Sequence, residues 1–117
     1  MIYKMKLRTN EFDNIKNGSK KIEVRLYDEK RRKIKSNDYI IFYKQPLLEE
    51  KVCVRVDEII RFNTFKEVYT HFPKKKFGYS NLSNSDILDN IYSIYTKQQE
   101  IMFGVIVIQF TVIENMI

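Results

Sequence analysis

The sequence is poor in the residues that most enzyme and metal chemistry needs. Its 117 residues hold one cysteine, one histidine, two prolines and three glycines, with no tryptophan and no alanine. A lone Cys53 excludes an internal disulfide, and with His71 the single histidine a Cys/His zinc site cannot form within one chain. Ser-His-Asp or Cys-His catalysis would have to use His71. No metal or organic cofactor is implied. No apolar run approaches the ~18–20 residues that cross a bilayer, so no membrane partner is expected. The opening Met1-Ile2-Tyr3-Lys4-Met5-Lys6 alternates and lacks the apolar centre of a secretory signal, which points to a cytoplasmic location. No repeat, low-complexity tract or Pro/Gly/Ser linker marks a boundary, so residues 1–117 are expected to form one domain.

Charge, by contrast, is plentiful and uneven. The formal net charge is +6. Between Lys20 and Lys35 eight cations (Lys20, Lys21, Arg25, Lys30, Arg31, Arg32, Lys33, Lys35) face three acids (Glu23, Asp28, Glu29). One segment thus carries nearly the whole excess, a pattern that suits an anionic partner such as nucleic acid and equally a solvated loop.

Periodicity gives the elements. Ile2 to Leu7 alternates as a half-buried strand. Thr9 and Asn10 are candidate caps of a short helix that carries Phe12 and Ile15 on one face and stops at Gly18. Lys21 to Tyr27 reads as a strand with Ile22, Val24 and Leu26 on one side and Lys21, Glu23 and Arg25 on the other. Strands are also expected at Asp38–Tyr43 and Lys51–Ile60. Cys53, in the second of these, reads as a small packing residue. Thr64-Phe65-Lys66-Glu67 is a capping box whose helix ends before Pro73. Ser85 is expected to start another helix, with an apolar stripe at Ile87, Leu88, Ile91, Ile94 and Tyr95. Val105 to Ile113 is apolar on both faces, as in a strand covered on each side. The fold class is α+β: a small, partly open, mostly antiparallel barrel of about five to six strands with two to three short helices. Ile22, Val24, Leu26, Ile40, Phe42, Val52, Val54, Val56, Val105 and Val107 are expected to share its interior.

One segment concentrates the chemistry. In Gly18-Ser19-Lys20-Lys21-Ile22-Glu23-Val24-Arg25, Gly18 permits the tight exit from the helix. Alternation then sends Glu23 and Arg25 to one side, near enough to pair. An acid between cations can orient the arginine and leave lysine free to meet an anion or a carbonyl.

This segment resembles the G-x-K-x-x-E-x-R signature of the ASCH domain family, in the PUA-like group, with matches at Gly18, Lys20, Glu23 and Arg25. The resemblance runs on through Leu26-Tyr27-Asp28-Glu29-Lys30-Arg31-Arg32, the stretch Ile34 to Phe42, Phe77-Gly78-Tyr79 and Phe103-Gly104-Val105-Ile106-Val107-Ile108. It identifies the chain as similar to small, bacterial-type, single-domain members. It implies a PUA-like β-barrel with a cleft between the first helix and the barrel that binds RNA or a nucleoside- or nucleotide-like ligand. Some related members are amidohydrolases of acetylated cytidine that use a lysine, a threonine and a glutamate. Here Lys20 matches the lysine, Glu23 stands in the place of the threonine, and no glutamate near Tyr79 or Ser80 matches the third. Ser36-Asn37-Asp38 lacks the family's usual glycine before the aspartate, and asparagine tolerates the left-handed turn this requires.

The residues expected to bind the ligand are Lys20, Lys21, Glu23, Arg25, Tyr27, Arg31, Arg32 and Tyr79. Lys20 would meet a phosphate or a carbonyl or, desolvated near Lys21 and Arg25, act as a base with a lowered pKa. Glu23 and Arg25 would read a base edge and hold phosphate, or simply form a structural ion pair. Tyr27, Tyr43 and Tyr79 are candidate stacking platforms, each contact worth ~1–3 kcal/mol. Lys74-Lys75-Lys76 forms a second basic cluster, and His71 is expected to interact with a helix C-terminus. Two alternatives stay open: a small amidohydrolase of acylated or modified nucleosides with Lys20 and Glu23 catalytic, and a protein–protein interaction module. A closed pocket of nucleoside size beside Lys20 would favour the first. An open positive groove would favour nucleic-acid binding, and neither feature the second alternative.

Overall fold

The computed structural model of the protein describes residues 1–79 and 81–113. Five strands form one sheet: β1 (Ile2–Leu7), β2 (Ile22–Leu26), β3 (Tyr39–Lys44), β4 (Lys51–Phe62) and β5 (Val105–Val112). Their spatial order is β1-β3-β4-β5-β2. β1 runs parallel to β3 with Ile2 opposite Tyr39, whereas β3–β4, β4–β5 and β5–β2 are antiparallel. β1 and β2 are therefore opposite edges, and the sheet curls until they meet: the Arg25 guanidinium donates to the Lys6 carbonyl at 2.9 Å. The result is a half-barrel of the α+β class.

The helices are α1 (Thr9–Lys16), α2 (Phe65–His71), α3 (Asn84–Tyr92) and α4 (Lys97–Phe103), with a 3₁₀ turn at Lys74–Lys76. Four α-helices among the described residues exceed the two to three expected. The addition is α4, held by a capping box in which Thr96 accepts from the Gln99 amide and Gln99 accepts from that of Thr96. α1 starts at an N-cap Arg8 without a side-chain cap; Thr9 instead donates to the Gln45 carbonyl. The α3 cap is Ser83 rather than Ser85, in a reciprocal box with Asp86. Thr64 caps α2 by accepting from the Glu67 amide, but the expected box is only half formed, because the Glu67 carboxylate accepts from the Thr64 hydroxyl at 3.1 Å rather than from its backbone amide. Asn37 takes a φ of +73°, so asparagine does supply the left-handed turn where glycine is missing.

The apolar residues divide between two cores. Inside the curl, Met5, Leu7, Ile40, Phe42, Val52, Val54, Val56, Ile106, Ile108 and Phe110 pack with Phe12 and Ile15 of α1. On the other face, Ile22, Leu26, Val105 and Val107 pack with Phe65, Val68 and Tyr69 of α2, with Phe77, and with Ile87 of α3. β5 is thus covered on both sides, and Val105 to Ile108 are fully buried. The single shared interior expected from the sequence is corrected here: Ile22, Val24, Leu26, Val105 and Val107 belong to the outer core. A period of two says which residues share a face and leaves open which face the chain wraps inward. In β2 the inward face is the one that carries Glu23 and Arg25. Cys53 is buried in β4, where burial pushes its thiol pKa up.

Candidate functional site

Lys20 sits where α1 hands over to β2. Gly18, at φ +86°, turns the chain out of the helix, and the Lys20 amide donates to the Asn14 carbonyl. A bridge to Phe77 fixes the backbone of Lys20 from the other side. The side chain is only 4% exposed. Its Nζ lies 2.8 Å from Glu11 Oε2 and 3.2 Å from Glu23 Oε1. The second oxygen of Glu23 accepts from Arg25 Nε at 2.8 Å, and Glu11 Oε1 accepts from the Tyr79 hydroxyl at 3.0 Å.

The floor of the site is therefore a chain of partners: Tyr79, Glu11, Lys20, Glu23, Arg25 and the Lys6 carbonyl. Two acids balance two cations. Burial alone would lower the Lys20 pKa, but Glu23 and Glu11 outweigh it and hold the ammonium above its usual 10.5. Burial works against ionised Glu23 as well, and Lys20 and Arg25 bring its carboxyl below the usual 4.5. Arg25 is likewise held charged by Glu23 against its own burial. Tyr79 is pushed up to about 12, by burial first and by Glu11 beside it. Lys20 is thus an ammonium paired with two carboxylates in the cleft lining, and its surroundings raise its pKa where the base reading expected it lowered.

Around this floor opens a cleft of about 1290 Å³, bounded by the edges of β1 and β2, by α1 and by α3. Of the residues singled out from the sequence, Lys20, Glu23, Arg25, Arg31, Tyr43 and Tyr79 line it. Lys21, Tyr27 and Arg32 lie outside this lining, as do His71 and the Lys74–Lys76 turn. His71 packs against the rings of Phe62 and Phe72. Tyr27 meets Arg61 and Arg32, whose guanidinium carbons lie 4.1 and 5.6 Å from its ring centre.

The structure adds lining residues that the sequence did not mark: Glu11 on the floor, Lys4 and Lys6 along β1, Arg8 at the start of α1, and Tyr3 and Tyr95 in the walls. Alternation in β1 was a signal for Lys4 and Lys6, whereas Glu11 had none beyond its helical turn. No grouping of three or more His, Cys, Asp or Glu suited to a metal occurs among the described residues. No described helix is long and apolar enough to cross a membrane.

Comparison with known proteins places this arrangement. Residues 5–114 match the ASCH domain. The hypothetical protein PH0355, known from a crystal structure, is 33% identical with a TM-score of 0.86, covering 97% of this chain and 100% of that one. Protein PF0455 from Pyrococcus furiosus, solved by NMR in solution, is 30% identical with a TM-score of 0.76 over 97% and 99% of the two chains. The ASCH domain from Lactobacillus crispatus JV V101 is 10% identical with a TM-score of 0.63, covering 95% of this chain and 79% of that one, a likeness of fold. No curated protein gives a significant match. With Lys20, Glu23 and Arg25 of the signature on the floor of the cleft and the family match spanning nearly the whole sequence, the chain belongs to the ASCH domain family, and its curled sheet is a PUA-like half-barrel.

Proposed function

We propose that the chain acts as one cytoplasmic domain that binds single-stranded RNA, or a shorter nucleotide-like ligand, in this cleft. The charge imbalance of the cleft carries the reading. Eight cations and two acids line it, and Lys20 and Arg25 already match both acids. Arg31 pairs with Asp28. Lys4, Lys6, Arg8, Lys30 and Lys33 then meet no carboxylate among the described residues. Tyrosines 3, 43, 79 and 95 stand among these charges, and alternating cations and aromatic faces are what a single strand requires. The volume exceeds the ~300–1,000 Å³ of a small-molecule pocket, leaving room for more than one nucleotide. ASCH domains are generally considered RNA-binding, which agrees with the charge.

The test is fluorescence anisotropy of a labelled oligouridylate across a salt series. If roughly four phosphates are neutralised, log affinity should fall with log salt at a slope of about −3. A Lys4→Gln, Lys6→Gln, Lys30→Gln variant should lose about 2 of that slope. Binding indifferent to salt and to these substitutions rejects the reading.

One observation favours a second reading, a hydrolase of modified nucleosides: Glu11 supplies a second carboxylate against Lys20, which no residue near Tyr79 supplies. Ser80 lies outside the described residues. A protonated lysine can polarise a carbonyl while a carboxylate activates water, so the base would be Glu11 or Glu23. Turnover of acylated nucleosides, reduced ~100-fold or more in Glu11→Gln, would establish it. No turnover by the wild type would leave binding alone.

A further inference from the structure

The basic segment after β2 is split by its own turn. Asp28 accepts from the Arg31 amide and pairs with the Arg31 guanidinium at 2.6 Å, which fixes Arg31 on the cleft side with its charge matched. The next residue, Arg32, leaves the cleft and turns back onto Tyr27, its Nε reaching the Tyr27 carbonyl at 3.4 Å. β4 brings a second guanidinium to the same ring. Arg61 lies opposite Ile106, which in turn lies opposite Arg25, so one row of the sheet carries both arginines.

Arg32 and Arg61 are exposed, and neither meets a carboxylate among the described residues. With ring distances of 4.1 and 5.6 Å, their charges lie within about 10 Å of one another, the screening length near 0.1 M salt. Two like charges gathered on one ring with no acid between them make a site where an anion relieves repulsion. The guanidinium fork fits phosphate oxygens in particular.

We infer that Arg32, Arg61 and Tyr27 form a second phosphate-holding subsite outside the cleft, which takes the backbone of a single RNA strand as it leaves past Arg31. The inference rests on the cleft reading above. Continuity supports it, because Arg31 and Arg32 are neighbours that face the two sites.

The length of the ligand separates the two sites. Oligouridylates of four and twelve nucleotides would be titrated into wild type, Arg32→Gln/Arg61→Gln and Lys4→Gln/Lys6→Gln. The arginine variant should bind the twelve-mer roughly 10-fold more weakly, with a salt slope shallower by about 1.4, and bind the four-mer as wild type does. The lysine variant should weaken both lengths. In the wild type, the twelve-mer and not the four-mer should shift the Arg32 and Arg61 side-chain NMR resonances. Equal losses at both lengths, or no loss and no shift while the lysine variant still weakens binding, overturns the subsite and leaves the cleft. Failure of the wild type to bind either length overturns both.

Discussion

Arg25 on β2 donates one nitrogen to Glu23 and another to the backbone carbonyl of Lys6 on β1, so a single guanidinium joins the two edges of the curled sheet. Hydrogen bonds between strands do not close this seam. A side chain does, and that same side chain belongs to the floor of the cleft.

Arg25→Met should therefore cost stability as well as affinity. It leaves a buried Glu23 carboxylate with half its partners, and breaking a buried pair typically costs ~3–5 kcal/mol. Thermal melting should fall by about 10 °C or more. Arg25→Lys should recover only part of this, because one ammonium cannot serve Glu23 and Lys6 with the geometry of a fork. Melting curves of the three proteins decide; a wild-type midpoint for Arg25→Met rejects the seam.

Lys20 holds two carboxylates apart as much as it binds either. Lys20→Met should be among the most destabilising single changes, since it removes the cation between Glu11 and Glu23 and leaves Arg25 as the one remaining partner of Glu23. Adding Glu11→Gln should restore stability, so the two changes should be strongly non-additive. A double-mutant cycle by urea denaturation measures this, and simple additivity would contradict the pairing.

The floor network also sets a pH range. Glu23 is depressed below its usual 4.5, so its contribution is complete above that value and is lost as acid carries the pH through the lower folded pKa. Lys20 is raised above 10.5, so its contribution is complete below 10.5 and is lost as pH rises through the higher folded value. Tyr79, raised from 10.0 to about 12, favours the folded state below 10 and loses that preference across the interval. Stability plotted against pH should be flat through neutrality as far as these groups act. Glu23→Gln should flatten the acid limb in particular, and an unchanged limb would assign it to other carboxylates.

Two glycines with nearly the same φ should respond differently to alanine. Gly18, at +86°, has nothing within 4 Å of an added Cβ, so Gly18→Ala should cost only the left-handed strain of about 1–2 kcal/mol. At Gly78, +85°, the Cβ would meet the Asn14 side chain at 3.0–3.3 Å. Gly78→Ala should cost more and should disturb Tyr79 next to it, seen as a larger fall in melting temperature and weaker oligonucleotide binding. Equal effects at the two positions would mean that Asn14 moves aside freely.

Much of this site is legible in the sequence because its core is local. Gly18 through Arg25 is a turn followed by an alternating strand, and alternation alone puts Glu23 beside Arg25. The Thr64–Glu67 cap and the Asn37 turn are local in the same sense. Glu11 is not: nine residues before Lys20, it lies on a helix whose approach to β2 is set by packing of Phe12 and Ile15 inside the curl. In the sequence it is only an acid suited to a helix start. Arg61 escapes for a related reason, because β4 runs on to Phe62 past a bulge at Val56/Glu58 and its register with β5 decides which ring it meets. α4 had a local signal in Thr96 and Gln99, masked by the exposed Ile101 and Met102, which form no buried stripe.

The edge position of β2 has a consequence for the order of events during synthesis. The strand that carries Glu23 and Arg25 pairs with β5 alone, Leu26 lying opposite Val105 and Ile22 opposite Gln109. The ribosome thus makes the signature early and its scaffold late. Until residues 105–112 emerge, β2 has no neighbour to hold its register, and the cations of the floor hang on an unpaired segment. A chain paused before Val105 would carry the whole motif and no cleft. The cleft is complete only once β5 is in place, so a chain stopped before Val105 should lack the binding proposed above.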